Sequence, residues 1–333
     1  MIRNIIRTGL EKCYDLNGRE IPCPGSGQDA SFKIGQAWPD SRFSLVDGDL
    51  AKDELTGLVW TRKANFFDFP LTWDEALEEV RAMNRQTFAG QDDWRLPNRR
   101  EMRSIVSHGH IKPALPPGHP FIDVFIGWYW TSTTSAMAPA YAWYVHLEGA
   151  RMFYGGKKQR YLAWPVCGES RHIALTGQQD CFDNSGQEIS CRGTGQDPEL
   201  NKGQFWPEPR FSMKGDEVLD NLTGLIWYDP GKIPAKAVNW EQALEIVQDL
   251  EGPINWRLPN INELESLVDA SAHSPALPPG HPFSGLRDGY WSSTTSFFEP
   301  DWAYVLYLNK GAVGVGFKPG PEFFVWPVRG MDQ

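Results

Sequence analysis

Apolar residues fall at helical spacing in four short stretches, arranged as two matching pairs. Trp73, Ala76, Leu77 and Val80 mark one helix, and Trp240, Ala243, Leu244 and Val247 mark its counterpart. Each opens with a capping box, Thr72-Trp-Asp-Glu75 or Asn239-Trp-Glu-Gln242, in which the first side chain caps an amide and the last reaches back. A second pair opens at Asn98 and Asn260, with Glu101 and Glu263 in the reciprocal position. Aromatic and β-branched runs at 129–135, 142–147, 151–154 and 161–166 predict strands, as do 290–296, 303–308, 313–317 and 323–328. The block P-A-L-P-P-G-H-P-F stands at 113–121 and again at 275–283. Its prolines exclude regular helix and central strand, so it predicts an ordered loop.

The pairing extends along the chain. Cys13 and Cys181 lie 168 residues apart, Trp60 and Trp227 lie 167 apart, and Trp94 and Trp256 lie 162 apart. A period this long indicates a duplicated domain and not a solenoid. The expected architecture is α+β, with domains at 1–170 and 171–333. Each should pack two helices on short antiparallel sheets and keep its sheets to itself. The motif W-R-L-P-N occurs in both copies. Trp94 and Trp256 are expected in the core. Arg95 and Arg257 are expected to pair with a carboxylate, the candidates being Glu101 and Glu263 beyond the caps Asn98 and Asn260.

Composition changes this picture in two respects. The net charge is −10, and it resides in the second half: residues 1–170 hold 20 basic and 20 acidic side chains, residues 171–333 hold 12 and 22. A general nucleic-acid binder is excluded by that balance. No apolar run approaches membrane-spanning length, and no segment of signal-peptide type is visible. Cys13/Cys23 and Cys181/Cys191 repeat a ten-residue spacing across a predicted turn. Two disulfides are the favoured reading, which would place the chain in an extracellular or periplasmic compartment. Reduced thiols and zinc are the alternatives, although the tight spacing of zinc sites is missing. Cys167 has no counterpart and is expected to be free.

W-R-L-P-N, preceded by T-G-L-V-W and followed by Y-W-T-S-T-T, resembles the Legionella collagen-like protein C-terminal domain family. The resemblance covers nearly all of both halves. It implies tandem C-type-lectin-like domains, related in fold to formylglycine-generating enzymes. Members carry a cysteine in the first helix and another in the last strand. Here Val80 and Val247 stand in the helices, and Pro165 and Pro327 in the strands.

The resemblance implies a non-catalytic binding or adhesion module for a glycan or a protein surface. The competing readings are an oxidoreductase of the formylglycine-generating type, whose reactive cysteine pair is not present here, and a structural subunit presenting its domains to a partner. No cofactor is implied. Glu299-Pro300-Asp301 is a partial echo of the lectin calcium signature, which leaves calcium open but unsupported. The Ser-Thr-Thr runs are expected to satisfy backbone groups, and His119 and His281 to make structural hydrogen bonds. The ligand surface is expected on the late strands of the first copy. There Trp128, Tyr141, Trp143 and Tyr154 would stack on sugar faces, while Arg151, Lys157, Lys158 and Arg160 would meet sulfate or carboxylate; the alternative is that 157–160 is a solvated hairpin tip and the aromatic residues are core. The second copy is nearly uncharged at the matching place.

Overall fold

The computed structural model describes residues 4–250 and 256–330. The first copy opens with an arm: strands β1 (Cys13–Tyr14) and β2 (Glu20–Ile21), then the one-turn helix α1 (Asp29–Phe32). Its body contains β3 (Phe43–Leu45), β4 (Leu50–Asp53), β5 (Val59–Thr61), α2 (Trp73–Arg85) and α3 (Arg99–Ser104). The strands β6 (Trp128–Thr134), β7 (Tyr141–His146), β8 (Met152–Gly156) and β9 (Val166–Cys167) complete it. The second copy repeats the arm as β10 (Cys181–Phe182), β11 (Glu188–Ile189) and α4 (Asp197–Leu200). Its body runs β12 (Phe211–Lys214), β13 (Glu217–Asp220), β14 (Leu225–Tyr228), α5 (Trp240–Gln248) and α6 (Ile261–Ser266). It ends with β15 (Gly289–Thr295), β16 (Trp302–Tyr307), β17 (Ala312–Phe317) and β18 (Val328–Gly330).

The α+β build holds in both copies. All four capping boxes form; Thr72 and Glu75, for example, bond each other's backbone amides. Trp73 and Trp240 fix the longer helices to the sheet by donating to the carbonyls of Thr131 and Ser292, each at 2.7 Å. Trp94 and Trp256 are buried. Arg95 reaches Glu101 at 2.6 Å and Arg257 reaches Glu263 at 2.7 Å, all four side chains being buried. The same glutamates accept the amides of Asn98 and Asn260, at 2.9 and 2.8 Å. One carboxylate therefore closes the motif and caps the helix. His119 and His281 differ from expectation, packing their rings on Phe121 and Phe283.

The sheets correct a second expectation. Each copy keeps a four-stranded sheet, β3-β4-β5-β9 or β12-β13-β14-β18. The remaining strands do not stay separate, because β8 pairs antiparallel with β17 through Met152 and Val313. The result is one six-stranded sheet, β15-β16-β17-β8-β7-β6. Met152 and Val313 are equivalent positions, so the join lies on a pseudo-twofold axis. At that axis Arg103 meets Glu265, its own counterpart, at 2.8 Å. Both are buried.

The arms tie the copies together further. The first arm docks on the second body: Asp29 accepts hydroxyls from Thr8 (2.7 Å) and from Thr294 of the second copy (2.8 Å). Reciprocally, Asp197 accepts from Thr176 and from Thr133 of the first copy, both at 2.7 Å. The middle residue of each Ser-Thr-Thr run thus holds an arm, while also accepting a helix amide from Arg99 or Ile261. Disulfides Cys13–Cys23 and Cys181–Cys191 close both hairpins, and Cys167 is free and buried.

Candidate recognition surface

Strand alternation divides the predicted ligand residues between two faces. In the β6–β7 pair Trp128 stands opposite His146, and Trp130 opposite Tyr144; Tyr129 faces Val145 on the alternate parity. Trp143 shares the inner face with Val145. It is buried between the guanidinium of Arg99, 4.0 Å from its ring, and the ring of Tyr154 at 5.2 Å. Trp143 is therefore a core residue and not a sugar-stacking one. Tyr154 is half-buried behind Tyr141, which is exposed at the start of β7.

The cations are also dispersed. Lys157 is 1% exposed, lies 4.1 Å over the Trp73 ring, and donates to the carbonyls of Phe182 (2.9 Å) and Asp183 (3.2 Å). It clamps the second arm and is not available to a ligand. Lys318 does the same for the first arm, donating to the carbonyls of Tyr14 and Asp15 and lying 4.0 Å over Trp240. Burial lowers both amines to about 7. Arg160 forks onto Glu75 at 2.7 and 3.0 Å, and Arg151 reaches Glu299 at 3.0 Å. Of the predicted group only Lys158 stands exposed with no ion pair among the described residues. The glutamate of the calcium-like echo is thus occupied by Arg151. Beside it, Pro300 and Asp301 pack against Gly18 of the first arm.

What the fold does assemble is a ring cluster on the other face of β6–β8, at the rim of the core that Trp130 and Ala142 of that face form with α2. Trp128 lies 4.1 Å from Tyr144 and 4.5 Å from His146, with Phe153 at 6.4 Å. Tyr161 joins Tyr144 at 4.9 Å. All five residues are half-buried. Gly155 makes room, since any side chain there would meet the rings of Tyr144 and Tyr161. Burial and the neighbouring Tyr161 push the Tyr144 hydroxyl up to about 12, so it remains a neutral donor. A loop beside Trp128 exposes Ile122, Phe125 and Ile126 at 46, 52 and 43%. At the equivalent positions the second copy has Gly289, Val305, Tyr307, Gly314 and Phe323, which keep two rings of five.

Sequence reasoning found Trp128 but missed Tyr144, His146, Phe153 and Tyr161. For the first three the signal was the period of two, counted through the hairpin so that Trp128 and His146 face each other.

A family model described as the Lcl C-terminal domain matches residues 49–167 and again residues 216–329. Both arms lie outside the matched segments. No curated protein and no solved structure matches the chain. A domain of this kind is a binding or adhesion-type module in general. With most of its length matched in two tandem segments, the chain belongs to the Lcl C-terminal domain family.

Proposed function

We propose that the chain is a non-catalytic recognition module working in an oxidising compartment, and that it engages a glycan through the partly exposed rings around Trp128 on β6–β8. The observation that carries this reading is the partly exposed ring cluster around Trp128. A pyranose offers a face of C–H groups and a rim of hydroxyls; aromatic rings with polar handles complement both. The two domains, 1–170 and 171–333, divide the work. The first reads the ligand, and the second, with glycines where the first has Trp128 and Phe153, supplies the frame. Three of the four cations expected to meet sulfate are engaged elsewhere, which favours an uncharged glycan.

The disulfides support an extracellular or periplasmic location. Cys167 supports the non-catalytic reading. Burial, then the neighbouring Asp93, pushes its thiol up to about 12, and only the thiolate is reactive. A protein surface is the second reading, favoured by the exposed Ile122, Phe125 and Ile126 beside the rings. On that reading the chain presents its domains to a partner.

The test is calorimetric titration with neutral cello-, xylo- and chito-oligosaccharides, comparing wild type with Trp128→Ala. Saturable binding should weaken roughly tenfold or more in the variant, a typical cost for an aromatic anchor, with the melting temperature nearly unchanged. Equal binding by both proteins would remove the ring cluster from the site. Binding to no glycan, with protein capture that depends on Phe125 and Ile126, would favour the second reading.

A further inference from the structure

We infer that the first copy carries a separate ligand site, a cleft between its arm and the 107–117 loop that takes a single ring-bearing carboxylate of monosaccharide size, such as a hexuronate. The cleft holds about 270 Å³ and is lined by Arg7, Lys33, Trp38 and His110, among others. That is just below the roughly 300–1,000 Å³ of pockets for drug-sized molecules, which suits one sugar ring. Its wall is built. The Trp38 indole donates to the Arg7 carbonyl at 3.2 Å, and Arg7 Nε donates to the Gly35 carbonyl at 3.2 Å. The His110 ring is held 2.9 Å from the Ser107 hydroxyl. Lys33 is paired with Glu11 at 2.6 Å, but the two side chains are 42 and 72% exposed. Such a pair is weak and exchangeable, so a ligand carboxylate can take the place of Glu11.

The duplication supplies an internal comparison. In the second copy Leu175 replaces Arg7, Asn201 replaces Lys33, and Ala272 replaces His110, while Trp206 keeps the indole. Asp269 stands where Ser107 does, and its carboxylate lies against Gly177, the counterpart of Gly9. One copy thus gathers cations around an aromatic wall, and the other neutralises the same place. On a chain of net charge −10 a local cationic cleft selects for anions. This inference does not depend on the ring cluster around Trp128.

The second copy also provides variants that fit the backbone. Lys33 and Asn201 share a left-handed conformation, φ 50° and 48°, so Lys33→Asn keeps the turn; Arg7→Leu likewise installs the second copy's residue. Titrations by calorimetry and saturation-transfer NMR would use glucuronate and galacturonate, with methyl glucoside as the neutral control. Saturable hexuronate binding is expected, weakened roughly fivefold or more by each substitution, a loss of about 1 kcal/mol, and retained in Trp128→Ala. Absence of saturable binding, unchanged affinity in both variants, or equal affinity for methyl glucoside would overturn the proposal.

Discussion

Arg95 and Glu101 show how one residue pair closes a motif. The carboxylate receives a guanidinium and the amide of its own helix cap, both out of water. Glu101→Gln leaves Arg95 charged and unpaired inside the protein, so urea unfolding should show a loss of about 3–5 kcal/mol; Glu263→Gln should match it. A loss near zero would mean that the arginine finds another partner. Titration adds a second residue-scale prediction. Burial raises Asp29 and Asp197 to about 6, against an ordinary value of 3.8. Between those values the folded state binds more protons than the unfolded one, so their contribution to stability falls as pH rises through that window. Lys157 and Lys318 act with the opposite slope. Lowered to about 7 from 10.5, they leave the unfolded state with more protons in that range, so stability rises with pH. Asp29→Asn with Asp197→Asn should flatten the acid window in urea melts and leave the alkaline one. Arg95–Glu101 was legible because both ends lie in one local motif. Lys157 was not, because its acceptors lie in an arm of the other copy.

At the scale of elements, the helices were readable from period and caps, since both signals are local. The faces of the strands were harder. A hairpin fixes which residue opposes which, and β6–β7 also contains a register shift between Trp130 and Thr134. Counting aromatic residues along the chain therefore merged Trp143 of the core with Trp128 of the surface. The Cys hairpins were legible from spacing alone. Each closes a short loop, and serine at Cys13 and Cys23 should cost about 2–3 kcal/mol, mostly through the unfolded chain. Because the first arm bears on the second body, that loss should be accompanied by faster amide exchange in β15. Exchange confined to the hairpin would show that the arm is only an appendage.

The whole molecule is where sequence reading stopped short. Duplication announced two domains, but nothing local in either copy announces that β8 will pair with β17 or that each arm will cross. The best sign in retrospect is Arg103 and Glu265, equivalent positions with opposite charges, which two identical copies could not have placed together. Glu265→Gln should destabilise both copies at once, by about 3–5 kcal/mol, since Arg103 would lose its buried partner. Differential scanning calorimetry of the intact chain tests this interlocking most directly. One transition is predicted, with calorimetric and van't Hoff enthalpies equal, as for a single cooperative unit. Two transitions, or a calorimetric enthalpy near twice the van't Hoff value, would mean that the copies unfold independently and that arms and sheet do not bind them into one body.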